Sequence, residues 1–232
     1  MEENSGRSLD RAGAAAGVAS VLLFVAIIMF APAIPTPKHT IAEIAGKATK
    51  DQAGILRGLY LGMLLTGALL VFGSSFVARL RRAEGDGGGW WLVALAGIAG
   101  TTVGLSTDML FVTFVRAVGH GVSGSALWVG NPSGPDGVII AIPLAVFFLG
   151  AGFGARASGI LPRWLGWLAT VLAVAFSVGA GGIMGDEVDG GILGGFLVLG
   201  YAGLLVWTVA TSVCLWREPR QARAESREVA TA

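Results

Sequence analysis

Asp108 stands in the stretch GLSTDMLFVTFVR, residues 104–116, inside an apolar run long enough to cross a bilayer. With the midpoint of that run near Val103, five residues of helix at 1.5 Å each place Asp108 roughly 7 Å from the midplane, still within hydrocarbon. An aspartate at a helix centre costs about 2.5–3.5 kcal/mol on insertion scales, somewhat less at this depth, so the group must face the bundle interior, water or a partner. Burial favours the neutral form of a carboxyl. The chemistry open to this residue is therefore proton or cation handling, or acid catalysis. A purely structural use competes with both: a carboxyl hydrogen-bonded to a neighbouring helix can simply fix helix register.

The spacing favours the interior. Gly97, Thr101, Gly104 and Asp108 are four, three and four residues apart, within about 20° of one helical stripe. Two other features come to a similar depth. Pro143 has no N–H for the carbonyl of Ile139, which is left free in the outer half of its span. Arg57, at the outer start of the second span, is long enough to dip towards Asp108. Arg116 lies two turns above Asp108 on a face about 80° away and is expected at the interface. The expectation is a polar pocket with Asp108 at its centre, Thr101 below it, and Arg57, Arg116 and the Pro143 kink around it. An outer acidic turn, Asp186, Glu187 and Asp189, could attract a divalent cation but reads first as a solvated turn. No resident metal is expected.

The elements that must position these residues follow from composition. The chain is 54% hydrophobic and 13% charged, with a mean hydropathy of +0.73. Soluble domains carry about 25% charged residues. Uncharged segments of roughly 18–25 residues recur, and in lipid such segments must be helices because each backbone polar group needs an internal partner. Six spans are predicted, at about 12–33, 55–78, 90–115, 137–155, 163–185 and 191–216. The fold class is all-α: a six-helix polytopic membrane bundle. Residues 1–11 form a cytoplasmic N-terminal segment, 12–216 the transmembrane domain, and 217–232 a disordered basic cytoplasmic tail.

With both termini cytoplasmic, eleven of the sixteen basic residues fall inside and five outside, as the positive-inside rule requires. Trp90, Trp91, Trp164, Trp167 and Trp216 then share the inner boundary as an aromatic belt. Arg7, Arg11, an apolar run and Ala31-Pro32-Ala33 have the order of a secretory signal, but that run is about 20 residues, longer than the 7–15 typical of a signal peptide. Between the first two spans, residues 39–54 place Thr40 and Glu43 at capping-box spacing and Ile41, Ile44 and Ala48 on one face, predicting a short amphipathic helix on the outer leaflet. Glycine pairs four residues apart, at 58–62, 100–104, 150–154 and 191–195, allow helices to approach closely. The run EGDGGG, 84–89, reads as a flexible linker.

Several function classes fall away. Cys214 is the lone cysteine, and the two histidines, His39 and His120, lie outside the apolar runs, so bilayer haem held by histidine is excluded. No apolar run contains a lysine for a retinal Schiff base. A net charge of +1 argues against nucleic acid as a partner. No phosphate-binding loop, zinc-protease motif or nucleophile elbow occurs, and no cofactor is expected. A membrane prenyl cyclase or similar acid catalyst would use at least two deep acids, and this chain has one.

The segment SGILPRWLGWLA, 158–169, with the span layout, resembles uncharacterised bacterial membrane proteins of about six spans, grouped as a domain of unknown function. That resemblance implies a multi-pass protein of the bacterial inner membrane and brings no activity with it. The lipid bilayer is the expected partner, alongside a second copy or another membrane protein. Three readings follow: a module that moves or senses a small solute or ion; a non-catalytic subunit or assembly factor of a larger complex; and an intramembrane enzyme on a lipid or isoprenoid. The short connections favour the first two and lean against an enzyme.

Overall fold

The computed structural model describes residues 2–30, 41–106, 138–181 and 191–217. Among them the chain is all helix: α1 (Glu2–Phe30), α2 (Ile41–Lys50), α3 (Gln52–Glu84), α4 (Trp90–Ser106), α5 (Val138–Ser158), α6 (Arg163–Ala180) and α7 (Ile192–Trp216), with one 3-10 turn at Gly85–Gly87. No strand occurs among the described residues. Five helices (α1, α3, α5, α6 and α7) are long and apolar enough to cross a membrane. The described part of α4 is apolar and 17 residues long. The first span starts earlier than its hydropathy suggests: α1 is helical from Glu2, without a break at residue 11. Likewise α3 runs to Glu84, past the apolar limit near 78, because arginines continue a helix readily once it has formed.

Each of these helices lacks a soluble protein's polar outer face. Val103, Ile142, Val171, Ile192 and Leu199 are all more than half exposed. Such a belt of outward apolar side chains is what a bilayer solvates and water does not. The neighbours run α1, α3, α4, α5, α6, α7 and back to α1, closing a ring. The short helix α2 packs against α3.

Small residues set how closely the ring closes. A Cβ on Gly97 would fall on the backbone of Phe147, and one on Gly150 on the backbone of Ala94, so α4 and α5 meet backbone to backbone. Gly100 faces Pro143, whose Cβ lies 3.2 Å from where a side chain would start. Gly13 and Gly17 do the same for α1, against Ser75 of α3 and against Phe72 and Ser212. Not every spaced glycine is used this way, since Gly62 and Gly195 face open space.

The core is aromatic and centred on Trp207, which is fully buried. Its ring lies edge-on to Phe72 and Phe76 of α3 at 6.0 and 5.4 Å, and to Phe147 and Phe148 of α5 at 5.8 and 5.2 Å. Its indole N–H donates to the carbonyl oxygen of Leu165 on α6 at 3.2 Å. One side chain of α7 thus ties three other helices together.

The SGILPRWLGWLA segment is the α5–α6 hairpin. Gly159, at φ +70°, takes the left-handed conformation that ends α5, and its N–H donates to the Ala155 carbonyl at 2.9 Å. Pro162 then begins α6, its carbonyl accepting from the Leu165 N–H at 2.9 Å. Glycine to stop and proline to start is a local instruction that needs no tertiary help.

Candidate functional site

Two polar regions lie within the ring. The first is where the start of α1, the ends of α3, α5 and α7, and the starts of α4 and α6 come together. Asp10 is only 7% exposed. Its Oδ1 accepts from the Arg82 guanidinium at 2.7 Å, and its Oδ2 lies 3.9 Å from Nη1 of Arg79. One carboxylate therefore holds two guanidiniums and locks α1 to α3. Asp10, Gly13 and Gly17 share a face of α1 at three- and four-residue spacing, and that small-residue stripe brings the acid against α3.

Glu84 works the opposite way, along the chain. Its Oε2 accepts from the backbone N–H groups of Trp90 and Trp91 at 3.0 and 3.4 Å, capping α4. A carboxylate at a helix N-terminus satisfies orphan donors and matches the helix dipole. The run at 84–89 is therefore a built turn, with Gly85 at φ +63° closing α3 onto the Arg81 carbonyl. That corrects its reading as a flexible linker. Around this end, Arg156 stacks over Phe153 and Trp167 at 4.5 and 4.2 Å, and Trp90 stacks on Phe153 at 4.9 Å.

Neither acid stands out by sequence. Asp10 sits among charged residues that read as a solvated segment, and Glu84 beside a glycine run. The signal that could have found Asp10 is its place at the head of the Gly13–Gly17 stripe.

Asp10→Asn keeps the shape and removes the charge that two arginines share. Arg82 is half-exposed while Arg79 and Asp10 are nearly buried, so the expected loss of stability is about 2 kcal/mol, between the exposed and buried limits for ion pairs. It is read as a lowered unfolding midpoint in detergent. Arg82→Gln should act in the same direction, and the double variant should lose less than the sum.

The second region is a partly open cavity of about 80 Å³ deeper in the ring. Its walls include Ser20 and Phe24 of α1, Thr101 of α4, Leu144 of α5, and Tyr201 and Thr208 of α7. Thr101 is 2% exposed and its hydroxyl donates to the Gly97 carbonyl at 2.9 Å. Ser20 donates to the Gly17 carbonyl at 2.7 Å. The buried hydroxyl of Thr208 has no hydrogen-bond partner among the described residues, and the same is true of Thr211 and Ser212 further along α7. The walls are otherwise apolar. A volume of about 80 Å³ holds two waters, each of which takes about 30 Å³ in the liquid.

The expected pocket residues divide. Gly97 and Thr101 are buried, Gly97 against the backbone of Phe147 on α5 and Thr101 on the cavity wall. Pro143 is half-buried against Gly100, while its neighbour Leu144, not Pro143, lines the cavity. Arg57 is exposed, and its Nε–H donates to the Ala53 carbonyl of its own helix at 3.3 Å. Asp108 and Arg116 lie outside the described residues, as do Asp186, Glu187 and Asp189. Among the described residues no group of three acids, histidines or cysteines could hold a metal.

No protein-family model, curated protein or solved structure matches this chain. Its function has to be read from its own residues. The cavity is small and partly open, and two aromatic side chains stand in its wall: Phe24 stacks on Tyr201 at 6.4 Å, and Tyr201 lies edge-on to Phe176 at 5.3 Å. Its volume suits a small solute, and its accessible lining is almost wholly apolar.

Proposed function

We propose that this chain crosses a bacterial inner membrane six times, with both termini cytoplasmic, and handles or senses a small solute or ion through the ring interior beside Asp108. Thr101 carries the reading. It lies on the wall of the cavity, on the stripe that Gly97 and Gly104 share, and the same spacing reaches Asp108 one turn beyond Gly104. A carboxyl on that stripe, were the helix to continue past Ser106, would face the ring interior and escape the penalty of facing acyl chains.

Three further features support the reading. The Thr208 hydroxyl, buried beside the cavity, has no hydrogen-bond partner among the described residues. Arg79, Arg81, Arg82, Arg156, Arg163 and Arg217 gather at the same end of the ring as the exposed Trp164, Trp167 and Trp216, as a cytoplasmic boundary would. Arg57 and the amphipathic α2 belong to the opposite end, where α2 would lie along the outer leaflet.

The test is proton-coupled flux in proteoliposomes containing the purified full-length chain. The wild type should show uptake that depends on external pH, and Asp108→Asn should abolish that dependence, by tenfold or more, with an unchanged elution profile in detergent. Full retention of pH-dependent flux in Asp108→Asn would remove the proposal.

A further inference from the structure

A groove of about 600 Å³ runs along the outside of the ring between α3 and α4. From the level of Ser74 to Gly85 it follows α3 for about 16 Å at 1.5 Å per residue. Its two ends differ in chemistry. Val77 and Ala78 of α3 and Leu95 of α4 line the part towards the middle of the helices; Arg81, Arg82 and Trp91 line the part at the helix ends. We infer that this groove binds one anionic phospholipid, with the phosphate at Arg81 and Arg82 and an acyl chain along Val77, Ala78 and Leu95. The inference is independent of any role for Asp108.

Charge decides the headgroup. Asp10 already pairs with Arg82 and lies beside Arg79, and the Glu84 carboxylate caps α4. Arg81 is exposed and has no acidic partner among the described residues; its guanidinium carbon lies 4.9 Å from the centre of the Trp91 ring. Stacking occupies the flat face of a guanidinium and leaves its in-plane N–H donors for an anion. Arg81, with no acid beside it among the described residues, leaves the groove's end cationic, and a guanidinium suits a bidentate phosphate contact.

Shape and polarity decide that the phosphate belongs to a lipid. A free phosphate would use only the arginine end and leave the apolar length unfilled. That length opens outward, with Leu95 exposed among the apolar side chains that surround the ring. Spacings of three and four residues put Val77, Ala78, Arg81 and Arg82 on one face of α3, so chain and headgroup sites are in line. Basic pockets between helices at the cytoplasmic surface are suited to anionic headgroups. A choline headgroup would bring its own cation against Arg81.

Native mass spectrometry of the full-length protein in detergent tests this, with phosphatidylglycerol, phosphatidylcholine and inorganic phosphate as probes. Phosphatidylglycerol should be retained in preference to phosphatidylcholine. Arg81→Gln should lower its apparent affinity about fivefold, the contribution expected of one arginine near a charged surface. Leu95→Trp, which fills the apolar length without changing charge, should lower it as well. Arg163→Gln removes an equal charge from the same end of the ring, outside the groove, and should have no effect. Equal losses in Arg81→Gln and Arg163→Gln would mean diffuse attraction and overturn the site. So would equal retention of phosphatidylcholine, or displacement of the lipid by inorganic phosphate.

Discussion

Replacing Gly97 by alanine is expected to separate α4 from α5 and to destabilise the protein by about 3 kcal/mol or more, at the upper end of overpacking effects. The reason is where the added methyl would go. It meets the backbone nitrogen and Cα of Phe147, and a backbone cannot move aside as a flexible side chain can. The contact is doubled from the other helix by Gly150 against Ala94, so shifting α5 to relieve one clash disturbs the other. In hydrocarbon no hydrophobic drive holds the helices together, so a loss of close contact has little to offset it. Gly67 on α3 supplies the comparison, with nothing within 4 Å of its added Cβ. Gly67→Ala should be neutral or stabilising by up to about 1 kcal/mol, the helix-propensity difference. Thermal unfolding midpoints in detergent read both variants. If Gly97→Ala melts where Gly67→Ala does, the backbone-to-backbone contact is not what holds α4 on α5.

Trp207→Ala should be of similar size, about 3–5 kcal/mol for removing a buried large aromatic. The indole fills the space between α3 and α5 and meets four phenylalanine rings edge-on, each pair adding about 0.5–1.5 kcal/mol beyond its area. Trp207→Phe separates the two parts of its role. It keeps a ring in the aromatic cluster and loses the hydrogen bond to the Leu165 carbonyl, a net contribution of about 1 kcal/mol. The order wild type, Trp207→Phe, Trp207→Ala is expected in unfolding midpoint, with near-ultraviolet circular dichroism reporting the loss of fixed aromatic packing. A Trp207→Ala variant that melts with the wild type would show that the aromatic centre contributes little to holding the ring.

The two regions of the ring have different physical characters. The end that gathers Asp10, Arg79, Arg82 and Glu84 is charged and cross-linked between helices, which suits a fixed anchor. The cavity around Thr101 is uncharged and walled mainly by aliphatic side chains, with the Thr208 hydroxyl buried beside it. Only the second leaves room for an occupant that comes and goes. The groove beside Arg81 and Trp91 adds a third character, exposed and cationic, on the lipid side of the first.

What the sequence determined by itself is what lipid and local backbone rules dictate. Long uncharged runs must be helices because hydrocarbon offers no other partner for backbone polar groups, and five long apolar helices stand where those runs are. The α2 helix at Ile41–Lys50 and the glycine-to-proline turn between α5 and α6 were likewise legible, because caps and turns depend on residues within one or two turns of each other. The buried face of α4 through Gly97 and Thr101 followed from helical phase alone. Tertiary structure decided which residues are brought together. Spacing alone does not tell Gly97, pressed on a backbone, from Gly62, facing open space. It does not turn Asp10 from a solvated charge into the clasp between α1 and α3, nor Glu84 from a linker residue into the cap of α4. It also left Arg57 free to reach inward, whereas the folded chain turns that guanidinium onto the Ala53 carbonyl of its own helix. Partners distant in sequence are set by how six helices close into a ring, and that closure depends on every pairwise contact at once.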